Sequence, residues 1–223
     1  MGYQFRFDLV LAHWPAFVEG AMATLIISVV ASVLGLLIGV AGALVRSYGP
    51  RPLSVLVGVY VEVIRNTPFL VQLFIVYFGL PAIGIKADAN LSAVSAMAIN
   101  VGAYATEIVR AGLASIPRGQ IEAAAALGLR PYQIFIHVML VPAARTIFSA
   151  LTGQFTLVML TSSVVSAVSA TDLAGVANRV AAIGFRHLEA YSIATVIYLA
   201  MALAISGMFS LLSRRLFRYA RQG

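Results

Sequence analysis

Long apolar runs separated by short polar stretches form the pattern of this 223-residue chain. Five runs are each at least as long as the roughly 20 residues that a helix needs to cross a bilayer. They lie at about residues 17–45, 53–80, 91–113, 132–167 and 187–212. No run shows the ten-residue alternation of a transmembrane β-strand. The pattern therefore predicts an all-α integral membrane protein, with five transmembrane helices in a single domain over residues 1–223.

A few residues within these runs predict local features. Gly35, Gly39 and Gly42 recur at near-helical spacing in the first run, and they predict a face that packs closely on another helix. Pro142 is a candidate break in the fourth run, because proline has no backbone N–H to donate. Residues 170–186 mix charged and small side chains, and we expect a loop there.

Composition and charge agree with a membrane protein. The chain is 61% hydrophobic and only 10% charged, whereas about 25% of the residues in a soluble domain are charged. Its formal charge of +7 is explained by topology, since arginines concentrate at 46–51, 118–130 and 214–221, which five spans place on one side. Positively charged loops face the cytoplasm. The sequence therefore predicts an outside N-terminus, a cytoplasmic C-terminus and no nucleic-acid partner.

The residues offer little for metal or nucleotide chemistry. The chain has no cysteine, and its three histidines are far apart in sequence, so no metal site is predicted. Lys86 is the only lysine, and no phosphate-binding G-x-x-x-x-G-K-[ST] stretch surrounds it. We therefore expect no enzyme activity and no cofactor in this chain.

A short charged and alanine-rich stretch, residues 118–130, lies between the third and fourth runs. A helix in this stretch would be about 14 Å long, too short for the roughly 30 Å hydrocarbon core. Pro117 ends the preceding helix, Gly128 can take the left-handed position after a helix, and Pro131 prevents continuation. The pattern predicts a short helix at the cytoplasmic surface, either an interfacial linker or a surface that another protein grips.

The residues of this stretch resemble the cytoplasmic EAA loop of ATP-binding-cassette importer permeases. The resemblance rests on Glu122-Ala123-Ala124, then Gly128, Val138 and Leu140. The family pattern places proline directly after the leucine, whereas Pro142 comes one residue late here. In that family the loop forms a coupling helix that docks in a groove of the ATPase. The resemblance implies that coupling is carried by Arg118, Gly119, Glu122, Ala123, Ala124 and Gly128.

Polar residues in the second run are candidates for function or for helix packing. Glu62 and Arg65 stand at i, i+3 and can neutralise each other on one helix face. Pro68 frees the backbone carbonyl of residue 64. Thr67 and Gln72 follow these residues, and we expect both to contact a substrate at mid-membrane. Intramembrane polar groups of this kind mark function or a partner.

The third run carries a polar stripe of Asn100, Tyr104 and Glu107, at i, i+4 and i+7 on one helix face. A carboxylate accepts an ammonium, and amide or hydroxyl groups donate to a carboxylate, so the stripe could hold a small molecule that carries both charges. We expect Glu107 to receive the ammonium. The alternative is an internal ion pair between Glu107 and Arg110. A membrane scaffold that merely tethers an ATPase would not need this stripe.

Residues 60–73 and 100–112 resemble the second-helix and third-helix signatures of the polar amino-acid uptake permeases, the histidine, glutamine and arginine type. The resemblance extends over about residues 15–220 and implies the type I ATP-binding-cassette importer permease fold. In the fourth run, Leu160-Thr161-Ser162-Ser163 replaces a family stretch that usually begins Lys-Asp-Thr-Ser. The missing aspartate argues against arginine or lysine as substrate. The candidate substrate-binding residues are Thr67, Gln72, Asn100, Tyr104, Glu107, Ser162 and Ser163.

The resemblance also implies the partners and the location. The partners would be a second permease subunit, identical or paralogous, two cytoplasmic ATPase subunits that carry the ATP and Mg, and a periplasmic or extracellular amino-acid-binding protein. The chain itself would lie in the lipid of the bacterial cytoplasmic (inner) membrane and pass an amino acid across it by alternating access.

Overall fold

A computed structural model describes residues 3–216, except for the side chain of Val141, and every regular element in that range is helical. The α-helices are α1 (Phe7–Leu11), α2 (Trp14–Tyr48), α3 (Arg51–Arg65), α4 (Phe69–Ala82), α5 (Ala89–Ala114), α6 (Arg118–Ala126), α7 (Pro131–Gln133), α8 (Leu140–Thr161), α9 (Leu173–Gly184) and α10 (His187–Leu216). A π-helical segment, Ile134–Met139, joins α7 to α8, and a 3₁₀ segment, Ser162–Val168, continues α8. The predicted tail 214–221 lies outside the described residues from position 217 onward.

Helix α5 lies at the centre, and α2, α3, α4 and α8 all pack against it. Glycines on α2 allow the closest of these contacts. A Cβ on Gly35 would lie 2.5 Å from the side chain of Val101, and one on Gly39 would lie 2.9 Å from the backbone carbonyl carbon of Ala105. No side chain fits there, so the structure confirms that these small residues serve helix packing.

Within residues 3–216, three helical stretches are long and apolar enough to cross a membrane, namely α2, Pro142–Val168 and α10. A fourth crossing is obtained if α3 and α4 form one broken span. Helix α5 has 26 residues and is therefore about 39 Å long, which exceeds the hydrocarbon thickness, but it is not among the apolar spans. Its interior position lets it carry polar residues, and a fifth crossing by α5 stays a prediction.

The second run is not one continuous helix over residues 53–80, because the helix axis bends by 112° between α3 and α4. Pro68 interrupts the backbone hydrogen bonding, and side chains satisfy the freed carbonyls. The Thr67 hydroxyl donates to the carbonyl of Val63 at 2.8 Å, and the Gln72 amide donates to that of Ile64 at 2.7 Å. The polar residues noticed in the sequence thus complete a helix break.

The expected break at Pro142 is not found, because helix continues from Pro131 through Thr161. A proline ring collides with the carbonyl four residues earlier in a regular α-helix. Here the π-helical segment directly precedes α8, and its wider turns accommodate the proline. Pro131 occupies the first turn of α7, a position where the missing N–H would have no partner.

The prediction of a loop at residues 170–186 is wrong, because most of this stretch forms helix α9. The sequence feature that marks the start of α9 is a single residue, the N-cap Asp172. Asp172 is fully buried and accepts from the backbone N–H groups of Ala174 and Gly175 at 3.0 and 2.9 Å. Burial raises the pKa of this carboxyl. The hydroxyl of Thr24 accepts from the N–H of Leu173 at 3.0 Å and joins α9 to α2.

Helices α6 and α9 lie at opposite ends of α5. At the start of α5, the Asn90 side chain accepts from the backbone N–H of Thr171, which precedes α9. At the other end, Ile121 of α6 packs on a cluster that includes Leu113 and Ile116. About 39 Å of helix separates these two ends.

Candidate functional site

A cavity of about 220 Å³ lies between the break that separates α3 from α4, the middle of α5, and α8. Its lining consists of Thr67, Phe69, Met97, Asn100, Val101, Tyr104, Gln154, Leu157, Val158 and Thr161. Asn100 lies about 17 Å along α5 from Ala89 and about 21 Å from Ala114. The cavity therefore opens near the middle of the central helix. The irregular backbone between α3 and α4 is tolerated inside a membrane because it lines a cavity.

Three of the predicted substrate-binding residues, Thr67, Asn100 and Tyr104, lie together in this lining. Gln72 stands behind them and is buried. Its amide oxygen accepts from the Asn100 side chain at 2.9 Å, and its nitrogen donates to Thr67 at 2.9 Å. Gln72 thus fixes the amide of Asn100 against the helix break, and the Asn100 oxygen and second amide hydrogen are left for a ligand.

Tyr104 forms the part of the lining next to the charged residues of α3. The guanidinium of Arg65 lies 5.4 Å from the centroid of its ring, within range of a cation–π interaction. The expected ion pair between Glu62 and Arg65 does not form. The Glu62 carboxylate instead accepts from the side chain of Asn66 at 3.1 Å, because α3 ends at Arg65 and the chain turns back there.

Glu107 is not part of the lining, since the structure places its carboxylate in a cluster of arginines. Both carboxylate oxygens accept from the Nε of Arg110 at 3.1 Å, and a second guanidinium nitrogen of Arg110 is also bonded. Arg46 of α2 approaches the carboxylate to 3.7 Å. The ion pair that the sequence offered as the alternative is therefore formed, and it joins α5 to the end of α2.

Ser162 and Ser163 also lie away from the lining. Their hydroxyls donate to the carbonyls of Met159 and Leu160 at 2.6 and 2.8 Å, as hydroxyls on apolar helices commonly do. The sequence reading missed two polar lining residues of α8, Gln154 and Thr161. They stand at i and i+7 on one face of α8, but α8 carries other polar residues such as Thr152 and Thr156, so this spacing was only a weak signal in the sequence.

The ten lining residues include no charged side chain. Their hydrogen-bonding groups are the amides of Asn100 and Gln154 and the hydroxyls of Thr67, Tyr104 and Thr161. Helix α4 begins at Phe69 in the cavity wall, so the partially positive end of its dipole is next to the cavity. The arrangement can hold a small polar molecule that carries no large net charge.

A second candidate surface is the exposed side of α6, which we call the α6 surface: Arg118, Gly119, Glu122, Ala123 and Leu127. Leu127 is 81% exposed, although it is a large apolar side chain. The opposite side of α6 is held by Ile121, which packs on the cluster at the end of α5, and by Ala124, which was among the predicted coupling residues and is buried within this chain.

The turn that ends α6 has the form predicted for it. Gly128 adopts a φ of 78°, in the left-handed region. Its N–H donates to the carbonyl of Ala125 at 2.9 Å, and the N–H of Leu129 donates to that of Ala124 at 3.2 Å. This pair of bonds is a Schellman motif, which needs glycine at its left-handed position. The Schellman motif therefore fixes the C-terminal end of α6, next to Leu127 of the α6 surface.

Comparison with known proteins identifies the family to which this chain is similar. The family described as binding-protein-dependent transport system inner membrane component matches residues 31–218. The L-cystine transport system permease protein TcyB of Bacillus subtilis (strain 168) is 34% identical over 224 residues, covering 98% of this chain and 94% of that protein. The glutamine transport system permease protein GlnP of Escherichia coli (strain K12) is 35% identical over 210 residues, covering 92% and 96%.

Solved structures agree in fold. A crystal structure described as an amino acid ABC transporter with histidines is 35% identical, with a TM-score of 0.89 over 96% of this chain and 100% of that one. An inward-facing MetNI methionine ABC transporter is 23% identical, with a TM-score of 0.78, and shows likeness of fold alone. The chain thus has the type I importer permease fold, and its relatives are permeases, not scaffolds or enzymes. It belongs to the family of inner-membrane components of binding-protein-dependent transport systems.

Proposed function

We propose that this chain is the permease subunit of an ATP-driven importer for amino acids, and that the cavity is part of its translocation path. The observation that carries the proposal is the cavity itself, a neutral polar site midway along α5 beside a broken helix. Broken helices at mid-membrane commonly form substrate sites in transporters. The relatives named for L-cystine and glutamine support an amino acid as the substrate class.

The lining supports a zwitterion whose side chain is polar and uncharged. The substrate carboxylate lies near the first turn of α4, where backbone N–H groups and the helix dipole favour an anion. The oxygens of Asn100, Thr67 and Tyr104 accept from the ammonium. A volume of about 220 Å³ is smaller than the roughly 300–1,000 Å³ of sites for drug-sized ligands and suits a metabolite of amino-acid size.

The transporter we propose contains two permease subunits, identical or paralogous, two ATPase subunits that bind ATP and Mg, and a solute-binding protein. The α6 surface docks on an ATPase subunit in the cytoplasm, and the N-terminus lies outside. ATP-driven closure of the ATPase pair moves the α6 helices together, and the cavity then changes the side to which it opens. The basic residues near α6 support this orientation through the positive-inside rule.

Replacing Asn100 with alanine tests the cavity. We expect substrate affinity in the solubilised permease to fall about ten- to a hundredfold, because a hydrogen bond to a charged group contributes roughly 1.5–3 kcal/mol. Equilibrium binding of radiolabelled glutamine and cystine to the purified transporter measures this. Asn178→Ala removes an exposed amide on α9 and is the matched control. Equal affinity in Asn100→Ala and Asn178→Ala would contradict the assignment of the cavity.

Replacing Gly128 with valine tests the α6 surface. A Cβ on Gly128 would meet no atom within 4 Å, so the change acts only through its φ of 78°, which costs a side chain about 1–2 kcal/mol. We expect less ATPase subunit to co-purify and ATP hydrolysis to lose its stimulation, with substrate affinity unchanged. Gly207→Val is the control, since its site on α10 is equally open and regularly helical. Normal assembly and stimulation in Gly128→Val would refute a coupling role.

A further inference from the structure

One of the most exposed large apolar side chains in the described residues is Phe185, in the turn between α9 and α10. It is 85% exposed and adopts φ 53° and ψ 36°, the left-handed conformation. The backbone N–H groups of Phe185 and Arg186 both donate to the carbonyl of Ala181, so the residue takes a position that glycine usually occupies after a helix. A bulky residue there costs free energy that glycine would not, and such outliers mark candidate functional positions.

Hydrogen bonds and an ion pair tie the turn that carries Phe185 to the N-terminal segment and to α10. The guanidinium of Arg186 donates to the carbonyl of Gln4 at 2.9 Å and approaches the carboxylate of Glu189 to 3.5 Å. Glu189 is fully buried and accepts from the hydroxyl of Tyr3 and from the backbone N–H of Arg6. The N-terminal segment therefore fixes the turn to α10, and the aromatic ring stands on a rigid base.

The length of α10 places Phe185 beyond the lipid. Arg214 and Arg215 near the end of α10 mark one edge of the hydrocarbon core. His187 lies about 40 Å from Arg214 along the helix, or about 38 Å along the bilayer normal at a typical tilt of 20°. The hydrocarbon core is about 30 Å thick, and headgroups add about 5–8 Å on each side. Phe185, before His187, therefore lies at or above the outer limit of the headgroups.

The neighbouring residues indicate what would cover the ring. Arg179 and Ile183, one helical turn apart on α9, are both exposed, and Ile183 is 70% exposed. Arg179 forms no ion pair within the part of the chain that the structure describes. An apolar socket with an acidic rim would match an aromatic ring and an aliphatic side chain beside an arginine. This end of the molecule is also the one opposite the α6 surface.

We propose that Phe185, with Ile183 and Arg179, is the anchor on which the solute-binding protein docks. The proposal rests on the proposed function, because a solute-binding protein delivers to the end of the permease that is remote from the ATPase. Aromatic residues on a pre-organised base are typical binding hot spots, since little side-chain or loop entropy is lost when they dock. The strained conformation aims the ring away from the helix bundle toward this partner.

The test uses the intact transporter in nanodiscs, with its own solute-binding protein in the substrate-loaded form. In Phe185→Gly and Phe185→Asn the ring is lost, while both new residues tolerate a positive φ. We expect thermal stability equal to or above wild type, unchanged ATPase activity without binding protein, and an apparent affinity for the binding protein at least tenfold weaker. Arg179→Glu should weaken the same affinity and remove its salt dependence. Phe78→Gly, at an exposed phenylalanine on α4, is the control.

Each outcome decides between specific alternatives. Unchanged affinity for the binding protein in both Phe185 variants would overturn the proposal. A defect that appears in nanodiscs but not in detergent, and that Phe185→Trp corrects, would show a membrane anchor instead. If wild-type transporter shows no stimulation by the binding protein at all, the proposed import function fails, which is distinct from failure of the Phe185 anchor.

Discussion

Replacing Glu107 with glutamine is expected to destabilise the permease. Gln keeps the shape of the side chain but leaves Arg46 and Arg110 without the carboxylate that both approach. The cluster is only about one-quarter exposed at Glu107, so water compensates little of the loss. Charged hydrogen bonds contribute roughly 1.5–3 kcal/mol, and we expect a loss of that order. The measurement is folded yield and thermal midpoint of the purified transporter in detergent.

The double variant Glu107→Gln with Arg110→Gln separates the two roles considered for Glu107. It removes the guanidinium that is bonded directly to the carboxylate and leaves only the more distant Arg46 unpaired, so we expect it to recover much of the stability and uptake that the single change loses. Glu62→Gln is the matched control, because the Glu62 carboxylate is exposed and only accepts from Asn66. An uptake defect that persists in a well-folded double variant would instead indicate that the Glu107 carboxylate receives the substrate's ammonium.

The pattern of apolar runs was sufficient to predict the helical class and the approximate position of most long helices. It also predicted α6, because Pro117 and Gly128 act through local backbone geometry that neighbours do not alter. Residue type and spacing alone predicted that the glycines of α2 pack closely on another helix, and the structure identifies that helix as α5. These features depend on interactions between residues that are close in sequence or on one helix face.

Features that depend on contacts between distant parts of the chain could not be predicted from the sequence. The stripe of Asn100, Tyr104 and Glu107 has the correct helical spacing, yet only its first two members line the cavity, because Glu107 pairs with Arg110 on its own helix and Arg46 of α2 approaches the same carboxylate. The pair with Arg110 was an alternative in the sequence, whereas the approach of Arg46 depends on tertiary packing. Likewise, Pro68 was expected to free the carbonyl of Ile64, but the bond that the Gln72 amide donates to this carbonyl across the turn could not be predicted. Helix α9 depends on one buried cap, and a short helix with mixed polarity resembles a loop in sequence.

Thr161 was not among the predicted substrate-binding residues, yet it lies both in the unusual 160–163 stretch and in the lining of the cavity. In the resemblance described for residues 160–163 it takes the place of the aspartate of the Lys-Asp-Thr-Ser stretch, and it lies in the wall of a cavity whose lining contains no charged side chain. A carboxylate there would be partly desolvated and would favour a cationic substrate side chain through charge-assisted hydrogen bonds. The same carboxylate would be left unpaired by a neutral substrate, which weakens binding.

We therefore expect Thr161→Asp to shift selectivity toward arginine and lysine. The ratio of arginine to glutamine affinity should rise about ten- to a hundredfold, since one charged hydrogen bond contributes roughly 1.5–3 kcal/mol. Binding is measured directly on the solubilised permease at pH 8, where the carboxyl is ionised, because the solute-binding protein would otherwise select the substrate first. Thr161→Asn has the same shape without charge and is the control. Equal selectivity in the two variants would show that position 161 does not face the substrate.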